Sequence, residues 1–353
     1  MKAAQWEQPG AETVAPGVHR IPLPLPGDGL RAVNAYAIET GGGLVLIDSG
    51  WALAEAREQL EQSVKTLGYG LADVQRFLIT HVHRDHYTQA VALRREFGAR
   101  IGLGEGERPS LRIAADGGTS VFETQVRMLR RAGADGLARA VAEFGSGDEP
   151  DLWLYADPDE WISGEPAIPV GERTLQVVAT PGHTRGHLVF RDASGSLLFA
   201  GDHVLPHITP SVGFEPAAGR LSLAAYLSSL ASVRALPDTR LLPAHGPVTG
   251  SVHARVDELL AHHADRLART AGAVAAGAAT GFAVARALTW TRRKREFGSL
   301  DVFNQMLAVN ETVAHLEVLA ARHQLHVSDD GAVQHYRTLG CGGDAGPAEL
   351  ASD

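Results

Sequence analysis

Seven side chains of metal-ligating type recur along this sequence. The densest group is His81-Val82-His83-Arg84-Asp85-His86, a His-x-His-x-Asp-His cluster. Single residues follow far downstream: His183 in Thr180-Pro181-Gly182-His183-Thr184, Asp202 in Ala200-Gly201-Asp202-His203, and His245 in Pro243-Ala244-His245-Gly246. Neutral imidazole and carboxylate together suit a borderline-soft divalent ion, zinc first, at tetrahedral or five-coordinate geometry. A lone His after a strand is usually a hydrogen-bonded surface residue, so the inference rests on the six-residue cluster and on the recurrence of the pattern.

The elements that must carry these residues are legible as apolar runs. Val74 to Ile79 precedes the cluster, Leu175 to Ala179 precedes His183, Leu197 to Ala200 precedes Asp202, and Leu241-Leu242 precedes His245; each reads as a buried strand. Four strand ends delivering His and Asp to one place describe a metal site at the edge of a sheet. Earlier strands are expected at Val18 to Leu23, Ala32 to Glu39 and Leu44 to Ile47, and Asp48-Ser49-Gly50 then turns into a helix from about Ala52 to Lys65.

The four segments, in this order, resemble the metallo-β-lactamase fold superfamily over residues 18 to 250, and within it the glyoxalase II-like and acyl thioesterase-like branch. The resemblance implies an α+β fold, a four-layer αββα sandwich of two mixed sheets with helices outside and a dinuclear site on one edge. It implies that His81, His83 and His183 hold one ion, that Asp85, His86 and His245 hold the other, and that Asp202 bridges them. The expected ions are two Zn2+ per chain, with iron or manganese as alternatives. Two such ions lower the pKa of a shared water toward neutrality, and the resulting hydroxide attacks a carbonyl polarised by one metal. Asp85 is the candidate catalytic residue, suited to orient that hydroxide and pass on its proton. No separate Ser or Cys nucleophile is offered. Asp48 is expected beside the metal loop as a carboxylate that orients an imidazole, or as the cap of the helix that follows. His187 is read as bonding backbone behind the loop, His203 and His207 as facing substrate or lying behind the site, and His262 and His263 as helix surface.

Composition limits the function classes. The chain has 353 residues, 44% of them hydrophobic, which is enough for one large domain and a smaller one. No apolar stretch approaches the roughly 20 residues needed to span a bilayer, and the first nine residues lack the apolar core of a secretory signal. The single cysteine, Cys341, fits a reducing compartment, so a cytoplasmic location is expected. The formal net charge of −9 argues against a nucleic-acid wrapper. The division expected is a catalytic domain over 1–250 with a helical insertion at about 105–161, a winged-helix-like module over 251–338, and a disordered tail at 339–353.

Within the insertion, helices are expected at Ser120 to Ala132 and Ala134 to Phe144, and Trp153, Tyr155 and Trp161 either line an apolar wall or anchor the insertion. The C-terminal module reads as helices over Ser251 to Gly277, Gly281 to Leu288 and Leu300 to Arg322, then a hairpin at His326 to Val333 with an Asp-Gly turn. From residue 251 onward there are 10 Lys and Arg against 12 Asp and Glu, a net of −2. The one basic run, Arg292-Arg293-Lys294-Arg295, reads as a solvated loop or as a holder of an anionic substrate tail. No nucleic-acid or membrane partner is therefore expected; the substrate is a small ester-type molecule, and a homodimer is compatible.

The family's chemistries separate on these residues. β-Lactamases of the fold lack the bridging carboxylate, so Asp202 disfavours that amide hydrolysis. His83 and the short C-terminus disfavour the flavodiiron branch, and Asp85 disfavours the persulfide dioxygenases. Thioester or lactone hydrolysis is the expectation, with a two-metal phosphodiesterase or ribonuclease and a β-lactamase-like amide hydrolase as alternatives.

Overall fold

The structure, a computed structural model, describes residues 5–26, 29–117, 121–144, 151–217, 219–291 and 293–339. Seven strands form the first sheet in sequence order: β1 (Glu12–Ala15), β2 (Val18–Pro24), β3 (Ala32–Thr40), β4 (Gly43–Ile47), β5 (Val74–Leu78), β6 (Arg100–Gly104) and β7 (Glu160–Ile162). The pairs from β1 to β4 are antiparallel and those from β4 to β7 parallel, so the sheet is mixed. The second sheet, also mixed, runs β12-β11-β10-β9-β8, built from β8 (Ala167–Val170), β9 (Arg173–Ala179), β10 (Leu188–Asp192), β11 (Leu197–Gly201) and β12 (Arg240–Pro243).

The alternation of side chains along a strand sorts the core into layers. Val45 and Ile47 of β4 face Leu197 and Phe199 of β11 between the sheets, and the Tyr36 and Phe199 rings meet edge to face there at 5.4 Å. Leu44 and Leu46 instead point outward and are covered by α1 (Ala54–Thr66) and α2 (Arg84–Phe97). Leu198 and Leu241 face outward from the second sheet under α6 (Ser222–Ala235) and α7 (Val252–Ala275). The result is the expected αββα sandwich.

The outer core on the second sheet extends further. It takes in α4 (Val121–Arg131) and α5 (Asp135–Phe144), then α8 (Gly281–Ala287) and α9 (Val302–Ala321), so the insertion and the C-terminal helices pack on one another and on the sandwich in a single apolar cluster. The insertion also contains α3 (Arg108–Asp116), which no sequence expectation placed. Beyond α8, a short hairpin of β13 (Thr289–Trp290) and β14 (Arg295–Glu296) carries Arg293 and Lys294 of the basic run between its strands and Arg295 in β14; Arg292 lies outside the described residues. The final hairpin pairs β15 (Leu325–Asp329) with β16 (Gln334–Thr338), reaching five residues beyond the expected one. The expected tail lies outside the described residues from 340 onward. No helix among the described residues is long and apolar enough to cross a membrane.

Two local expectations are corrected. His263 is not on the surface: α7 packs against α6 and α9, and its ring lies buried between Tyr226 (5.6 Å) and His315 (5.3 Å), with Nδ1 3.2 Å from His315 Nε2. Its neighbour His262 is exposed, as expected. Asp48 does not cap α1, whose N-cap is Leu53 without a side-chain hydrogen bond; its carboxylate turns toward the histidine cluster.

Candidate metal centre

Each expected ligand leaves the end of a strand and turns into the same edge of the sandwich. His81, His83, Asp85 and His86 follow β5 and open α2; His183 follows β9, Asp202 follows β11, and His245 follows β12. The structure gathers all seven into two adjoining groups: His81, His83, His183 and Asp202 in one, and Asp85, His86 and His245 in the other, with donor atoms of each group within 4.8 Å of one another.

The geometry is that of two sockets sharing a wall. His81 Nε2 and His83 Nδ1 are 2.9 Å apart, His183 Nε2 and His83 Nδ1 3.1 Å, and His183 Nε2 and His81 Nε2 3.2 Å. These separations approach the edges of a tetrahedron with metal–nitrogen bonds of about 2.0–2.1 Å. In the second group His86 Nε2 and His245 Nε2 each lie 3.5 Å from Asp85 Oδ2. Asp202 faces both groups: Oδ2 is 3.5 Å from His183 Nε2, and Oδ1 is 3.4 Å from His245 Nε2 and 3.7 Å from His86 Nε2. His86 Nε2, His245 Nε2 and Asp202 Oδ1 are buried without a hydrogen-bond partner among the described residues. Buried polar atoms are rarely left so, and the convergence of orphaned nitrogens on carboxylate oxygens fits divalent metal ions.

Every imidazole is fixed by its other nitrogen, which sets tautomer and ring orientation. His86 Nδ1 donates to Asp48 Oδ2 (2.9 Å), His183 Nδ1 to the Ser211 carbonyl (2.6 Å), His83 Nε2 to the Phe214 carbonyl (2.9 Å) and His245 Nδ1 to the Ala32 carbonyl (2.8 Å). His81 Nδ1 meets the Thr80 hydroxyl at 3.1 Å, and that hydroxyl donates to Asp48. The sheets themselves set the His245 loop: Asn34 of β3 donates from Nδ2 to the carbonyls of Pro243 and Gly246, each at 2.9 Å.

Electrostatics divide the two sockets. Burial holds His81, His83 and His183 below the usual histidine range, His83 at about 3, so these rings are neutral donors. Burial also opposes charge on His86, but the carboxylates of Asp85, Asp48 and Asp202 outweigh it and raise the ring to about 10. Burial works against ionisation of Asp85 and Asp202 too; nearby imidazoles, His86 foremost for Asp85 and His245 for Asp202, hold both below the ordinary carboxylate range.

The remaining candidates fall behind or beside the centre. His187 is buried, bonded to the Thr180 hydroxyl at 2.8 Å, and accepts from the Asp202 backbone N–H at 3.2 Å, which fits its expected backbone role. His203 is buried against Tyr226 and does not face solvent, whereas His207 is exposed. Trp153 is exposed under Arg95, and Trp161 lies against Arg108. Tyr155 packs on the first sheet's outer core. Ser211, Phe214 and Ala32 act through backbone carbonyls, for which residue identity carries no signal; only Thr80, next to the cluster, was findable from sequence.

The family model for the metallo-beta-lactamase superfamily matches residues 28–245, and the chain belongs to that superfamily. Its relatives include a beta-lactamase-like protein 2 homolog of Caenorhabditis elegans, 26% identical over 67% of this chain and 63% of that protein. An atrochrysone carboxyl ACP thioesterase of Aspergillus fumigatus is 24% identical over 67% of this chain and 43% of its own length. The crystal structure of a metallo-beta-lactamase family protein from Thermus thermophilus superposes with a TM-score of 0.73 at 25% identity, covering 93% of this chain and 100% of that one. The chain spans only about three fifths of the C. elegans protein's length. Fold, family and donor set together define a metallo-beta-lactamase superfamily protein with a candidate metal centre.

Proposed function

We propose that this chain is a dinuclear zinc hydrolase acting on a thioester or lactone of a small molecule. The observation that carries the reading is the two-sided Asp202 carboxylate, with one oxygen toward each group of imidazoles. Bound there, two divalent ions supply Lewis acidity toward a carbonyl and a water acidified toward neutral pH. The chain supplies the rest. His81, His83 and His183 with Asp202 hold one ion, and Asp85, His86 and His245 with Asp202 the other.

Asp85 is half-buried where His81 and His86 are fully enclosed, so it meets substrate at the mouth of the site. It orients the attacking water and accepts its proton. Next to it the Arg84 guanidinium lies 3.9 Å over the Trp51 ring, a cationic rim beside the reaction centre.

Two considerations favour an acyl substrate over a phosphodiester: the similarity to a protein named as a thioesterase, and the acidic balance of the chain. With its one cysteine, the protein suits a reducing compartment such as the cytoplasm. The test is metal analysis followed by an activity panel of acyl-CoA, acyl-glutathione, lactone, nitrocefin and phosphodiester substrates. About two zinc equivalents with thioester or lactone turnover supports the proposal. Turnover confined to nitrocefin or phosphodiesters, or a zinc-grown protein holding one ion or fewer, overturns it.

A further inference from the structure

Two glutamates outside the candidate ligand set are as buried as its most enclosed members, His81 and His86: Glu107 is 0% exposed and Glu215 1%. Both engage the residues that follow His183. Glu107 Oε1 accepts from the Thr184 hydroxyl, and Glu215 Oε1 accepts from the Arg185 backbone N–H at 2.9 Å while its Oε2 accepts from Ser110 of α3 at 2.6 Å. Glu107 stands in the turn after β6, and there the backbone of the His183 loop passes without room for a side chain. A Cβ on Gly186 would lie 2.2 Å from the Glu107 nitrogen, and one on Gly106 would lie 2.7 Å from the Gly186 Cα.

Glu215 ends a segment whose main chain touches two of the three histidines of the first group, His183 and His83. The Ser211 carbonyl accepts from His183 Nδ1, the Gly213 N–H donates to the His183 carbonyl at 3.2 Å, and the Phe214 carbonyl accepts from His83 Nε2. Placing two carboxylates here is costly. Burial, with the charge of Glu215, pushes Glu107 up to about 8, and burial pushes Glu215 up to about 7. Glu107 Oε2 has no hydrogen-bond partner among the described residues. A site that serves only stability favours an apolar pair of similar volume over two buried acids, one of them with an unpaired oxygen.

We infer that Glu107 and Glu215 are positioning residues for the His81–His83–His183 end of the centre. They fix the loop that carries His183 and the carbonyls that aim His183 and His83. Glu107 does so as an acceptor for Thr184, Glu215 as the tie between Arg185 and α3.

The full-length chain tests this in a His245→Ala background, which leaves the three-histidine group as the remaining histidine site. Glu107→Ala and Glu215→Ala are expected to weaken zinc binding there by on the order of 10- to 100-fold, and to shift the visible absorption of the Co(II)-loaded protein. Glu107→Gln keeps an oxygen for the Thr184 hydroxyl and is expected to restore most of the affinity and the parent Co(II) spectrum. Thermal unfolding of the metal-free variants separates loss of fold from loss of aim. Folded alanine variants with parental affinity and spectrum overturn the inference. Should they not fold, Thr184→Val and Ser110→Ala delete one donor each and leave the carboxylates in place. Weakened zinc binding in either supports the inference, and parental binding in both overturns it.

Discussion

Asp48 accepts a hydrogen bond from His86 Nδ1 at 2.9 Å, and its other oxygen accepts from the Thr80 backbone N–H at 2.8 Å. One carboxylate thus ties the loop that starts the histidine cluster to the ring at its end, and aims His86 Nε2 at Asp85 and Asp202. Asp48 holds a left-handed backbone (φ 59°), a conformation Asp tolerates better than most residues. Asp48→Ala is expected to lower zinc affinity at the Asp85–His86–His245 group by on the order of 10- to 100-fold. Competitive zinc titration of the variant in a His81→Ala background measures it; unchanged affinity would refute the orienting role.

Asp85→Asn is expected to leave fold and metal content near normal and to cut turnover by on the order of 10²-fold or more, because the amide oxygen still coordinates weakly but cannot take a proton. Steady-state kinetics alongside metal analysis decide it. Near-normal turnover with full metal content would remove Asp85 from the catalytic role.

The candidate ligands were legible because metal chemistry admits few donor types and a sheet edge admits few places to put them. All seven follow strands whose apolar runs are plain in the sequence. What escaped depends on tertiary contact. Glutamate is ordinarily a surface residue, and nothing in Gly104-Glu105-Gly106-Glu107 announces that Gly186 will press against it. His263 reads as helix surface until α6 and α9 cover it. The pairing of β7 with β6 spans the whole helical insertion, a distance over which local pattern carries no register.

Gly182, just before the candidate ligand His183, has φ +141°, and a Cβ there would lie 2.4 Å from Tyr226 Cα on α6. Neither the backbone nor the helix can yield cheaply. Gly182→Ala is expected to destabilise the protein by about 3 kcal/mol or more, and to lower metal content by displacing His183. Urea unfolding measures the first and metal analysis the second. A loss under about 1 kcal/mol would mean that the loop relaxes freely, which the contact denies.

The basic run from Arg292 to Arg295 is expected not to bind nucleic acid. Three or four cations neutralise few phosphates, and the C-terminal module carries net negative charge. Anisotropy titration with duplex DNA and single-stranded RNA at near-physiological salt should show no micromolar binding. Binding that vanishes when Arg293, Lys294 and Arg295 become Ala would promote the phosphodiesterase alternative.

Stability should fall with pH through Glu107. Burial and the neighbouring Glu215 raise its carboxyl from an ordinary 4.5 to about 8 in the folded chain. Between those values the unfolded chain has released the proton and the folded chain still holds it. Folding therefore takes up a proton, and stability declines as pH rises. This contribution is fully present below about pH 4.5 and is lost once pH passes about 8. Glutamine stays neutral in both states, so Glu107→Gln removes the decline. In metal-free protein, the Tm of Glu107→Gln minus that of wild type should grow from pH 5 to pH 8. Glu215, raised to about 7, remains in both proteins and largely cancels in the difference. A difference that is flat with pH, or that shrinks, would show Glu107 already ionised in the folded protein.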